Sequence, residues 1–215
     1  MPFLLYFSGL LLLIIPTGPL TRDRYIGLTL RQLALRERYH FKWLHLPNLL
    51  DLLRAWGGLT LLQHSFLEVD PLRQGGGLIP LATLTIVALA GTLMQQLFHS
   101  LEPDVIPAPC AFTVGLLLAL LPLQVTLLVL PISYLAARGS LNLHAGKIVT
   151  IITLFGFGYL FKISPLYLAS AAAITLLPIA VASALCRHLV ITVRRQNAVQ
   201  PAPLRDIPNL PGKRA

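Results

Sequence analysis

Asp51, Arg54, His64, Glu68 and Asp70 lie within one twenty-residue stretch. These are the residue types that an enzyme acting on a lipid headgroup would use: a carboxylate or imidazole to move a proton, and a guanidinium to hold a phosphate. Their spacing is less persuasive. Asp51 and Arg54 are three apart and can pair with each other on a helix. Glu68 and Asp70 are two apart and precede Pro71, which suits a polar turn better than a paired acid and base.

A second group is uncharged. Gln95 and Gln96 lie near the end of one apolar run, and Gln124 lies in the middle of another, two residues after Pro122 and ten before Tyr134. A glutamine amide in hydrocarbon is costly unless bonded, so each should face a neighbouring helix or a freed backbone carbonyl. Pro122 would free such a carbonyl one turn earlier. Alternatively, Gln95, Gln96, Gln124 and Tyr134 would line a path for a neutral solute.

Other chemistry has little support. The six histidines are scattered, and His40 and His45 are five apart, about 140° around a helix, so no metal site is expected. Cys110 and Cys186 belong to no Cys-x-x-Cys, which leaves zinc or dithiol chemistry unsupported. Gly75-Gly76-Gly77 is followed by no Lys-Ser/Thr pair, so it reads as a linker and not as a phosphate loop. No nucleophile elbow or His-Glu-x-x-His is present. No cofactor is implied.

The elements that must carry these residues are apolar. Hydrophobic residues make up 55% of the chain and charged residues 12%, about half the share of a soluble domain. The 21 residues Leu78–Phe98 contain no charge, and at about 1.5 Å per residue they reach roughly the 30 Å of a hydrocarbon core. The expected fold class is all-α: a polytopic integral membrane protein with about five transmembrane helices and a cytoplasmic amphipathic interfacial helix. The spans read as 2–20 (retained, or a signal-anchor), 78–98, 110–136, 148–161 and 166–190. None has Asp, Glu, Lys or Arg in its interior: Arg187 lies near the end of the fifth, and Lys147 and Lys162 bracket the short fourth span and should snorkel to the interfaces. Gly156-x-Gly158 and Ala169–Ala173 suggest close helix packing without a defined dimer motif.

Net charge is +9, and its distribution orients the chain. Segment 21–77 carries eight basic residues, loop 137–147 two, and the region from Arg187 six, whereas loop 99–109 has only Glu102 and Asp104. If the spans alternate, the basic segments share one side, which the positive-inside rule makes cytoplasmic: N-terminus out, C-terminus in, in a bacterial inner membrane. Cys110 and Cys186 would then lie on opposite sides. The positive charge is absorbed by this rule, so nucleic acid is not an expected partner.

Segment 21–77 is the largest stretch outside the expected spans. Tyr39, Phe41 and Trp43 alternate with His40 and Lys42, while Ile26, Leu30 and Leu33 follow helical spacing. Arg36, Arg38, Lys42, Trp43 and Trp56 are the expected contacts with anionic lipid headgroups. Pro47–Trp56 should form an amphipathic helix, interrupted at Gly57-Gly58 and continued by a second short one. The proline-rich basic tail 191–215 is expected to be disordered. The expected partners are therefore the bilayer, its anionic headgroups, and a membrane protein or a second copy of the chain.

Overall fold

The computed structural model describes residues 2–16, 25–30, 46–69, 78–98 and 105–194. Among them are seven helices: α1 (Pro2–Ile14), α2 (Leu46–Val69), α3 (Leu78–Phe98), α4 (Cys110–Leu120), α5 (Leu123–Ser140), α6 (Leu143–Leu160) and α7 (Pro165–Ala184). Three short strands join them: β1 (Tyr25–Leu28), β2 (Val105–Pro107) and β3 (His188–Arg194). Four helices, α3, α5, α6 and α7, are long and apolar enough to cross a membrane. At 13 and 11 residues, α1 and α4 rise only about 20 and 16 Å.

Several expected boundaries move, each for a local reason. The span expected over 110–136 is two helices. Proline disfavours helical backbone in the residue before it, and Leu121 is extended at φ −117°, ψ 155° ahead of Pro122. The helix expected to break at Gly57-Gly58 continues instead as the 24-residue α2. Gly58 is held because a side chain there would strike Leu13 and the Gly9 carbonyl, so it serves close packing and not a turn. The span expected over 148–161 begins earlier, at Leu143, with Asn142 accepting the His144 N–H as its N-cap. The one expected over 166–190 stops at Ala184, where Cys186 takes a left-handed φ of 51° and the Arg187 N–H caps the Ala182 carbonyl. Beyond this cap the backbone is strand: Val190, Ile191, Thr192 and Val193 are β-branched, a composition that suits a pleated backbone better than a helix.

Contacts fix the direction of every helix. Tyr6 meets Phe66 edge-to-face and Gly9 meets Gly58 and Leu62, so α1 and α2 are antiparallel. Gly115 lies against Leu52 and Ala55 while Gln63 reaches Ala119, so α2 and α4 are parallel. Leu13 lies at Gly91, and the pairs Thr85–Ser170 and Gln96–Pro178 set α3 parallel to both α1 and α7. Gly146 on Ala137, and Gly158 on Leu168, close the α5–α6 and α6–α7 hairpins.

These directions gather one set of chain ends together. β3 is the central strand, antiparallel to β1 and parallel to β2 in the order β1-β3-β2. Beneath this sheet a small core holds Ile106, Ala108, Leu143, Ala182 and Leu189, with Cys110 and Leu30 packed on it. α3, α5 and α7 therefore finish at the sheet end and α2, α4 and α6 start there, while α1 runs toward it and stops short, with Leu13 level with Gly91 and with Gly58 in the middle of α2. The larger core fills the interior, centred on Leu13, Leu59, Leu62, Phe112, Leu116, Leu154 and Ile174.

This corrects the alternation expected from the sequence. The connection from α3 to β2, which contains Glu102 and Asp104, leaves from and returns to the sheet end, with the α5–α6 turn and β3. Cys110 and Cys186 share that end as free thiols. Lys162 adjoins the opposite end. A single cysteine at Asp104 and one at Arg187, each in a chain with Cys110→Ser and Cys186→Ser, should therefore react with an impermeant maleimide from the same side of sealed vesicles. A straight third span would put the two on opposite sides.

Candidate functional site

Wherever a helix stops inside the apolar interior, its last carbonyls lose their partners, and hydrocarbon supplies none. Side-chain amides and hydroxyls meet them here. Gln95 Nε2 donates to the Ile15 carbonyl just past α1, at 3.3 Å. Gln63 Nε2 donates to the Ala119 carbonyl in the last turn of α4, at 3.1 Å. Thr126 Oγ1 donates across the same break to the Leu117 carbonyl at 3.5 Å, which also accepts the Leu121 N–H at 3.0 Å. Gln96 Nε2 donates to the carbonyl of Pro178 in α7 at 3.3 Å, and its Oε1 is buried without a partner. Hydroxyls within the long helices mostly bond back one turn, as Thr92 does to Ala88, Ser133 to Val129 and Thr175 to Ala171.

The residues expected to line a solute path do not converge. Gln95 and Gln96 are buried and engaged, Gln95 on the carbonyl left past the end of α1 and Gln96 on a carbonyl within α7. Gln124 is exposed on the outer face of the first turn of α5. The proline turn rotates it away from α4, and the bond expected of it is made by Gln63 and Thr126. Tyr134 is on the outer surface too, where its hydroxyl accepts a hydrogen bond from Arg138 Nη1 at 2.9 Å.

The candidate headgroup chemistry also divides. Arg54 Nη2 donates to Asp51 Oδ1 at 3.1 Å, one turn apart on α2, in a salt bridge as the sequence suggests. The Arg54 side chain is only 10% exposed, its Cζ lies 5.4 Å from the centroid of the Phe112 ring, and its Nε and Nη1 have no partner among the described residues. Burial pulls this guanidinium below its ordinary pKa, and the Asp51 carboxylate opposes that pull. His64 is exposed, about 15 Å further along α2 by helical rise, and cannot join them. Trp56 projects from α2 at 47% exposure. Arg36, Arg38, Lys42, Trp43 and Asp70 lie outside the described residues.

The structure adds a residue that the sequence pattern places elsewhere. Lys147, expected to snorkel at a span end, sits in the second turn of α6 and is 7% exposed. It makes no hydrogen bond or ion pair among the described residues. The sequence carries a signal for this placement. Leu143, Gly146, Lys147, Thr150, Leu154 and Gly158 recur at three and four residues, and all face inward. No three His, Cys, Asp or Glu side chains among the described residues cluster as metal ligands.

No protein-family model, curated protein or solved structure matches the chain.

The two kinds of glutamine should separate in a stability measurement. Gln95→Leu, which strands the Ile15 carbonyl, should cost about 1 kcal/mol in detergent unfolding. Gln124→Leu, which exchanges an outward amide for an apolar side chain, should be neutral within about 0.5 kcal/mol or stabilising.

Proposed function

We propose that this chain is a multi-pass protein of a bacterial inner membrane that works without a catalytic site of its own. It packs against partner membrane proteins or a second copy of itself, and it organises anionic lipid at the cytoplasmic leaflet. One observation carries the reading: the four residues expected to line a solute path do not converge, and most interior amides and hydroxyls of the described residues bond to the chain's own carbonyls. What remains for function is the outer surface and the sheet end.

The charge pattern supports placing the sheet end in the cytoplasm. Six basic residues lie in sequence between α1 and α2, and six more lie from Arg187 onward. β1 and β3, which adjoin these segments in sequence, form the sheet end, and Arg138 in the last turn of α5 lies there too. The N-terminus then starts outside and the C-terminus finishes inside, because α1 begins at the opposite end and α7 stops at this one. That orientation is common to any odd number of crossings, whether the five read from the sequence or more. The first turns of α2, with Leu49, Leu50, Leu53 and Trp56 exposed and Asp51 and Arg54 paired behind them, give the amphipathic surface suited to that interface. Arg36, Arg38, Lys42 and Trp43, just upstream, supply its basic and aromatic headgroup contacts.

The solute-path reading is less well supported, because its four residues point to different surroundings. The headgroup-enzyme reading suffers from the distance between His64 and the Asp51–Arg54 pair.

Purified in mild detergent, the protein should retain phosphatidylglycerol above that lipid's share of the membrane, or a partner, or both. At about 1 kcal/mol per basic residue, the triple change Arg36→Gln, Arg38→Gln, Lys42→Gln should weaken the enrichment on the order of a hundredfold in partition. A bare monomer, with neither lipid nor partner, would refute the proposal.

A further inference from the structure

Arg138 stands at a helix end and turns back from it. It lies in the last turn of α5, at the sheet end, on the exposed side of the helix. A long basic side chain in that place gains most by snorkelling outward, past the end of the helix. The guanidinium instead runs back along α5. Its Nη1 donates to the Tyr134 hydroxyl, one turn further from the sheet end, at 2.9 Å. A guanidinium carries five N–H donors, and this bond uses one. Arg138 makes no ion pair among the described residues.

The surface around it is apolar. Leu127, Pro131, Tyr134, Leu135 and Arg138 follow at helical spacing along one outer stripe of α5, where Leu127 and Leu135 are 57% and 66% exposed. In a bilayer such a stripe lies along acyl chains, and a tyrosine near its end sits at headgroup depth. A Cβ added at Gly139 would meet nothing, so the protein leaves the helix end beside Arg138 open.

Holding this charge at the edge of hydrocarbon has a cost. The cation gives up water, and a long side chain gives up its rotamers. One hydrogen bond to a neutral hydroxyl, about 1 kcal/mol net, does not offset both. A lipid phosphate does. It lies at headgroup depth, carries the opposite charge, and offers two free oxygens that match the fork of a guanidinium. The acyl chains of the same lipid then run down over Leu135, Pro131 and Leu127.

We infer that Arg138 and Tyr134 bind the phosphate of one anionic lipid on the outer face of α5. The inference rests on the reading of this protein as an organiser of anionic lipid, and it gives that role a site on the folded bundle. Arg138 supplies the charge and the directed donors. Tyr134 is a positioning residue, whose hydroxyl keeps the guanidinium level with the phosphate.

The test uses the full-length protein in an uncharged detergent. Native mass spectrometry counts bound lipid during titration with phosphatidylglycerol or phosphatidylcholine, and inorganic phosphate is added as a competitor. Wild type should hold its first phosphatidylglycerol at least about tenfold more tightly than phosphatidylcholine. Arg138→Gln should lose most of that preference. Tyr134→Phe is the decisive variant, because it keeps the charge and the ring and removes only the hydroxyl. It should weaken the first phosphatidylglycerol about fivefold and leave phosphatidylcholine unchanged. Lys162→Gln, at the opposite end, should change either affinity less than about twofold. Undiminished affinity in Tyr134→Phe would overturn the site while leaving the lipid-organising role intact, as would a loss in Lys162→Gln equal to that in Arg138→Gln. No preference for phosphatidylglycerol in wild type would overturn both. Displacement of the lipid by inorganic phosphate would overturn the assignment to a headgroup. A lipid-free Tyr134→Phe that unfolds well below the wild-type temperature would overturn the claim that its hydroxyl serves the lipid and not the fold.

Discussion

A helix that ends in hydrocarbon must find donors for its last carbonyls within the protein, and this chain ends two helices early. α1 stops at Ile14 before Pro16, and α4 stops at Leu120 before Pro122. Gln95 and Gln63 reach the carbonyls left behind, from α3 and α2 respectively. Each bond does two jobs. It removes an unsatisfied group from a medium that would not solvate it, and it ties the broken element to a longer neighbour. A third amide, Gln96 on Pro178, links α3 to α7 with no break at its acceptor, since Pro178 lies inside a continuous helix. Helix breaks that would otherwise weaken the bundle become the places where it is joined.

The break at Pro122 also decides the architecture. Because α4 and α5 run in opposite directions on either side of it, the strand β2 returns to the same end as β3, and the two pair in parallel over Val105–Pro107. A continuous helix over 110–136 would separate them by the thickness of a bilayer. The small sheet and its apolar core are therefore consequences of a single proline turn. Tight approaches keep the other helices in place. At Gly115, Gly146 and Gly158 an added Cβ would strike a neighbouring helix, and only close backbone contact explains glycine at such positions.

Much of the helical class is legible from composition. The charge-free run Leu78–Phe98 is one helix with those bounds, since nothing within it competes with lipid burial or helix formation. The Asp51–Arg54 pair is legible from a spacing of three. Boundaries are harder wherever proline and glycine can act in two ways. Pro131 and Pro178 are carried inside continuous helices, whereas Pro122 ends one. Gly57-Gly58 looks like a break in sequence, yet α2 runs through it and Gly58 is a packing surface, which depends on α1, distant in sequence. The strand β3 reads as the end of a span because Leu189, Val190 and Ile191 are as apolar as the helix before them. The site is legible in part. Gln95 and Gln96 stand out by residue type, but their partner carbonyls depend on the packing, and the role that spacing suggests for Gln124 is filled by Gln63. Lys147 lies inside its helix because the helix begins one turn upstream of the apolar run.

The central claim is that a glutamine amide closes the break in the chain at Pro122. Solid-state NMR in bilayers can read it as a dipolar coupling between carbonyl carbon and side-chain nitrogen, with alanine labelled at the carbonyl and glutamine at Nε2. The account predicts a coupling from the Ala119–Gln63 pair in wild type that disappears in Gln63→Leu. An identical signal in the two proteins would contradict it.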